Sequence, residues 1–549
     1  DPISIQNSWS SFSKRKESSG LVLPEERRRW RSTSNSFDKN NMKKERRQEH
    51  DLEAPLFPGD GDAGKTAAAA GSAYALGCSL VASAISIIYG YNRGVMSGAQ
   101  KFVQDDLGII DAQLEVLIGA TSIYSLVGSL AAGWACDRAG RRRTMALSAA
   151  MFFAGSAITS AASGYAVLMA GQIVAGVACG FGLVVAPVYI AEMAPAASRG
   201  FLSSIPEIAG NSGILLSYIA DFALADLPKS INWRLMIGVG AVPPLFLAAA
   251  TLLAMPETPR WLVLNGHHDE ARRILARTTG DAALADRRLQ EIVASAQESS
   301  KQAVSGKKEA HPSSTSVWRD MLVRPTPAVR RVLLAVLGLQ FFQQASGVAA
   351  LVLYAPRVFN RAGVTTQSAV LGATILIGVS KTVAIVIPLF LADRLGRRPM
   401  LLTSAGGMAA SLLVLGFSLR VSTVADADDA WWAAATSVAA AAAFMATFSL
   451  GFGPVIWMYG SEILPLRLRA QGTGIGTAVN RVMSAVVGMS FISLYEAVGM
   501  AGSFYIFAGC AAAAWLFVYA CLPETKGRTL EEMEALFDGS ADSPSLTMQ

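Results

Sequence analysis

The sequence predicts an all-α membrane protein: twelve transmembrane helices in two six-helix halves, with a cytosolic helical insert between them. Three observations carry this reading. Of 549 residues, 52% are hydrophobic and only 16% charged, against about 25% charged in an ordinary soluble domain. The charges are also segregated, with 24 of the 88 Lys, Arg, Asp and Glu in residues 1–65 and 22 in 256–331. Finally, long windows carry no charge at all, among them 66–92, 116–136, 144–191, 235–255, 332–356, 399–419 and 430–461, and about 20 apolar residues suffice for a helix to cross a bilayer.

In chain order, residues 1–71 read as a disordered cytosolic tail, since 13 basic and 11 acidic residues alternate with Ser and Asn over the first 65 positions. Its basic runs at Arg27–Arg31 and Lys43–Arg47 are solvated or touch anionic lipid. The first half, 72–255, holds spans near 72–97, 113–136, 144–162, 166–190, 201–222 and 235–255. Residues 256–331 form a cytosolic linker with short helices at Asp269–Arg277 and Asp281–Glu298. The second half, 332–522, holds spans near 332–357, 367–391, 399–420, 431–459, 470–496 and 501–522, and 523–549 is a cytosolic tail. Arg138–Arg143, Arg199, Arg394–Arg398, Arg467 and Arg469 fall in alternate loops. The positive-inside rule then puts both termini in the cytosol.

The net charge of +6 reflects these loops and calls for no nucleic acid partner. Five cysteines without a CxxC spacing suggest neither a disulfide framework nor zinc. The histidines at 50, 267, 268 and 311 avoid the apolar segments, which excludes an intramembrane histidine relay. No nucleotide loop or nucleophile–base pattern supports an enzyme, and no cofactor or metal is expected beyond a proton as a coupling ion.

Three sequence pairs recur in order at similar offsets. Asp137-Arg138-Ala139-Gly140-Arg141-Arg142 returns as Asp393-Arg394-Leu395-Gly396-Arg397-Arg398; Glu192 with Arg199 returns as Glu462 with Arg469; Pro256-Glu257-Thr258 returns as Pro523-Glu524-Thr525. Such duplication places a solute site between the halves near the membrane midplane. Together with Pro187-Val188-Tyr189, Gln343-Gln344-Ala345-Ser346-Gly347 and Gly453-Pro454-Val455-Ile456-Trp457, these motifs resemble the sugar porter family of the major facilitator superfamily. The nearest branch looks like the plant polyol/monosaccharide transporters. The resemblance implies a multi-pass protein, by family default in the plasma membrane and active as a monomer in the bilayer. It would move a sugar or polyol by alternating access, through facilitated diffusion or proton symport.

A sugar or polyol site needs neutral amides and hydroxyls with an aromatic face. Gln343 and Gln344 lie mid-span, where polar groups default to function, although glue between helices is the competing reading. The resemblance adds Asn480 and the stacking Trp457; Tyr354 and Glu207 are further candidates. It also implies a cytosolic gate of opposite charges: Asp137, Arg141, Glu192, Arg199, Glu257, Arg260, Asp393, Arg397, Glu462, Arg469 and Glu524.

Three departures from the family pattern stand out. The coupling Asp of helix 1 is Asn92, its Arg partner in helix 4 is Gln172, and helix 7 continues Gly347-Val348-Ala349 where the family carries a polar side chain. Asn does not titrate, and loss of both partners avoids an uncompensated buried Arg. Arg93 is an addition, with Glu207 its expected partner; Lys381 and Arg481 add further positive charge. Two alternatives follow: the same fold carrying a different, for example anionic, solute, or a sensor of sugar that does not transport.

Overall fold

The computed structural model describes residues 62–195, 198–304, 325–423, 430–464 and 468–526. Among these the regular structure is helical. The first half holds α1 (Asp62–Leu107), α2 (Asp111–Ala139), α3 (Arg141–Ser160), α4 (Tyr165–Met193), α5 (Arg199–Leu224), α6 (Lys229–Val239) and α7 (Val242–Leu253). The insert contributes α8 (Pro259–Leu264), α9 (His268–Thr279) and α10 (Ala282–Val304). The second half holds α11 (Pro327–Ala345), α12 (Val348–Arg361), α13 (Gln367–Ala384), α14 (Ile387–Leu395), α15 (Arg397–Ser422), α16 (Ala430–Leu450), α17 (Val455–Ile463), α18 (Arg469–Val498) and α19 (Met500–Cys521).

Ten helical stretches among the described residues are long and apolar enough to cross a bilayer. Two expected spans, those of α3 and α5, fall outside that set. α3 opens on Arg141, Arg142 and Arg143, and α5 carries Glu207, Asn211 and Asp221. α1 starts at Asp62, ten residues ahead of the expected span, because the Ala-rich stretch 67–70 extends the helix.

Several spans are broken, and the breaks have local causes. Gly347, at φ +81°, separates α11 from α12, and a Cβ there would lie 2.6 Å from the Phe507 ring. Gly451-Phe452-Gly453-Pro454 separates α16 from α17, since Pro454 has no N–H to continue the ladder. In the insert, Arg272 pairs with Asp286 between α9 and α10, while Ala271 and Ile274 join the apolar core of the first half.

The halves meet along two helix pairs, α2 with α18 and α5 with α13. The larger core runs through both halves, from Tyr91 and Tyr218 to Tyr354, Phe491 and Phe507.

Candidate functional site

The motif charges build two networks with one plan. Arg141 binds Glu192 at 3.0 Å and Asp137 at 3.6 Å, and its Nη1 donates to the Cys136 carbonyl. The backbone N–H groups of Arg141 and Arg142, the first residues of α3, donate to the Glu257 carboxylate at 2.9 and 3.1 Å. That carboxylate therefore caps the α3 N-terminus, where four N–H groups lack intrahelical partners. In the second half Arg397 binds Glu462 at 2.8 Å, and Arg397 and Arg398 donate backbone N–H bonds to Glu524 at 3.0 Å each. Tyr189 donates to the Pro256 carbonyl and Tyr459 to the Pro523 carbonyl in the same way.

A glycine precedes each capped helix: Gly140 at φ +88° and Gly396 at φ +93°. A Cβ at either would reach the capping carboxylate, at 2.3 Å from Glu257 and 2.7 Å from Glu524. Burial pushes the Glu257 carboxyl above its ordinary range, against the pull of its N–H donors and Arg141.

All these ion pairs lie within one half. Arg260 is exposed on α8 and stands outside the network. The side chains of Arg199, Asp393 and Arg469 lie outside the described residues.

At the opposite end of α2 the contacts cross between halves. Arg357 of α12 pairs with Asp111 of α2 at 2.8 Å and also reaches Gln104 and Tyr495. The buried Glu115 of α2 accepts from the backbone N–H groups of Ile492 and Ser493 at 2.6 and 3.0 Å, and from the Ser493 hydroxyl at 2.7 Å. Tyr218 donates to the Val352 carbonyl at 2.8 Å.

Between the halves lies a small, partly open cavity. Tyr89, Asn92 and Arg93 of α1, Thr121 and Ser122 of α2, and Leu353 and Arg481 from the second half line part of it. Its lining contains no Asp or Glu. Asn92 is buried, and its Oδ1 lacks a hydrogen-bond partner. Gln172 is buried behind this wall and accepts from Thr121 at 3.1 Å.

The amide cluster adjoins the cavity through Asn480. Asn480 Nδ2 donates to Gln340 Oε1 at 2.9 Å and to Gln343 Oε1 at 2.5 Å; its Oδ1 accepts from Gln344 at 3.3 Å and from Arg481 at 2.7 Å. Gln343 Nε2 donates to the carbonyls of Phe452 and Gly453. Those carbonyls lie at the α16–α17 break, and backbone groups inside a membrane must be satisfied within the protein. Gln343 and Asn480 thus have their hydrogen-bonding capacity largely committed. Gln344 differs: it is buried and its Oε1 has no partner.

The remaining sequence candidates separate. Tyr354 is fully buried, donates to the Gly488 carbonyl at 2.6 Å and packs on Phe491, between α12 and α18. Trp457 is half-buried on α17, outside the lining of this cavity. Arg93 does not meet Glu207. It donates to the Tyr89 hydroxyl at 3.2 Å and to Ser484 at 3.1 Å, while Glu207 is exposed and its carboxylate accepts from Asn211 at 3.5 Å. The geometric cause is helical spacing, which puts Tyr89 one turn from Arg93 on the same face of α1.

Sequence reasoning passed over Tyr89, Gln340, Ser484 and Glu115. Helical spacing would have found two of them, since Gln340 lies three and four residues before the Gln pair and Tyr89 four before Arg93. No local signal marks Glu115, whose donors are backbone groups some 377 residues away.

The family model for "Sugar (and other) transporter" matches residues 78–537. Polyol transporter 5 of Arabidopsis thaliana is 47% identical over 470 residues, covering 85% of this chain and 86% of that protein. Glucose transporter GlcP of Staphylococcus epidermidis is 32% identical, covering 82% and 94%. The solved structure of the proton:xylose symporter XylE bound to 6-bromo-6-deoxy-D-glucose aligns with TM-score 0.67 at 26% identity, covering 85% and 99%. With its family model matched over most of its length, the chain belongs to the sugar (and other) transporter family of the major facilitator superfamily.

Proposed function

We propose that this protein carries a monosaccharide or polyol across the plasma membrane by alternating access, as an uncoupled facilitator. Two six-helix halves provide the moving parts, with twelve spans: α3 and α5 join the ten more apolar ones, and α5 buries Asn211 and Asp221. The cavity between the halves is the observation that carries the reading. It offers the unpartnered Asn92 Oδ1 beside the hydroxyls of Thr121 and Ser122, with the free Gln344 Oε1 in the adjoining amide cluster. These groups suit a polyhydroxylated solute. The Arabidopsis polyol transporters and GlcP support the solute class.

The absence of coupling rests on the same wall. Proton symport needs a carboxylate whose affinity for a proton changes through the cycle. Asn92 and Gln172 occupy the positions where the sugar porter pattern places Asp and Arg, and the cavity lining has no acid.

The cytosolic networks around Arg141 and Arg397 act within each half, so each holds the ends of its own bundle together as a rigid body. Among the contacts that join the halves, Arg357–Asp111 and Glu115–Ser493 lie at the non-cytosolic end. In this reading the conformation described is closed to the outside, and opening breaks those contacts. Counterflow of labelled hexoses and polyols in liposomes tests the function: exchange with an unlabelled solute of the same class is expected. Failure across both classes would leave the sensor reading in its place.

A further inference from the structure

The cavity gathers positive charge without a counter-charge. Arg93 Nη1 and Arg481 Nη1 both donate to one acceptor, the Tyr89 hydroxyl, each at 3.2 Å. Arg481 is only 7% exposed, and its Nε has no partner. Neither guanidinium forms an ion pair with a described carboxylate. Lys381 of α13 adds a third cation within electrostatic range of Arg93, and the acid near that lysine is Glu207. A guanidinium removed from water is strongly unfavourable when unpaired, and two that converge repel each other as well. Serine and tyrosine hydroxyls satisfy some of their donors but none of their charge. The element missing from this wall is an anion.

The shape of the site narrows the anion. A guanidinium fork matches a planar carboxylate, taking its two oxygens through parallel N–H bonds. Arg93 comes from the first half and Arg481 from the second, so one carboxylate between them would bridge the two moving parts. Beside the pair stand Asn92, with its open Oδ1, and the Ser122 hydroxyl, which suit the hydroxyls of a carbohydrate chain.

We propose that the cavity takes sugars or polyols bearing a carboxylate, an aldonate or uronate, with the acid group held between Arg93 and Arg481. This rests on the transport reading above and specifies its solute.

Isothermal titration of the full chain in lipid nanodiscs tests it with two matched pairs: glucose against glucuronate, and sorbitol against gluconate. Each acid is expected to bind at least about tenfold more tightly than its neutral parent. The advantage should shrink with added salt, since it is electrostatic. Arg93→Gln or Arg481→Gln should abolish most of the acid-to-neutral ratio, whereas Arg93→Lys, which keeps the charge, should retain part of it. If the glutamine variants do not fold, the wild-type ratio and its salt dependence still decide the matter. Acids that bind no better than their parents would overturn the inference and leave the transport reading standing. Glucose 6-phosphate binding more tightly than either acid would overturn the choice of carboxylate. Failure of every sugar, polyol and acid to bind would overturn the proposed function and this inference together.

Discussion

Glu115 ties the two halves through three hydrogen bonds, and its removal should shift the transporter toward a state open at the non-cytosolic end. The carboxylate is 4% exposed and accepts three hydrogen bonds from Ile492 and Ser493. Hydrogen bonds to charged groups contribute about 1.5–3 kcal/mol each, but two of these donors share one oxygen and water replaces them on opening. A net coupling of about 2–3 kcal/mol is reasonable, a factor of roughly 30–150 in the open-to-closed ratio. Asp111–Arg357 adds less, because the Asp111 side chain is 42% exposed and such pairs contribute about 0–1 kcal/mol. The assay is the reaction rate of a membrane-impermeant thiol reagent with Ser122→Cys, a cavity-lining position, in a background lacking the five native cysteines. Glu115→Ala should raise that rate by at least tenfold from the non-cytosolic side, with Asp111→Ala raising it less. Equal rates in Glu115→Ala and its parent would refute the assignment of Glu115 as the tie that holds this end closed.

Other outcomes follow from the same geometry. Gly140→Ala and Gly396→Ala should each destabilise by about 2 kcal/mol or more, since both force a Cβ into a glycine-only backbone region and against a capping carboxylate. Gly133→Ala, with open space around it, should leave the thermal midpoint in detergent within a degree or two of wild type. The Glu257 carboxyl is held above its ordinary range by burial, so the folded protein binds its proton more tightly than the unfolded chain does. Its stabilising contribution is complete below the ordinary carboxylate value and is lost as pH rises through the folded one. Thermal midpoints measured from pH 4 to 8 should therefore fall more steeply with rising pH in wild type than in Glu257→Gln. Gln344→Ala should raise the KM for transport about tenfold with little loss of stability, because its Oε1 has no partner and its Nε2 gives up only the 3.3 Å bond to Asn480. Gln343→Ala should lower the thermal midpoint, since it strips the donor from the Phe452 and Gly453 carbonyls.

Much of this could be read in the sequence for physical reasons. Charge-free windows mark membrane-crossing helices because a bilayer penalises charge, and the duplicated Asp-Arg-x-Gly-Arg-Arg motif stands out because its charges sit at helix ends. Arg141–Glu192 and Arg397–Glu462 bring motif charges together in each half. What could not be read is which polar groups are already spent. Gln343 and Gln344 are adjacent and chemically identical, yet the first is consumed by carbonyls at a helix break 109 residues away. Tyr354 is indistinguishable from a cavity tyrosine in sequence, and its hydroxyl is taken by Gly488. Arg93 has a local partner in Tyr89, one turn before it, whereas Glu207 is an acid on a different helix whose distance only the packed structure reveals. Long-range pairing of backbone acceptors leaves no trace in composition or spacing.

The central claim is uncoupled transport of a sugar or polyol through the cavity between the halves. Uptake of labelled hexoses, polyols and their acids into liposomes, with and without an inward proton gradient, tests it most directly. Saturable uptake that stops at equilibration and is unchanged by the gradient is the expected result, since neither Asn92 nor Gln172 can carry a proton. Accumulation driven by the gradient would contradict the uncoupled mechanism and point to Glu207 as the proton site, and the absence of saturable uptake across the whole panel would contradict transport itself.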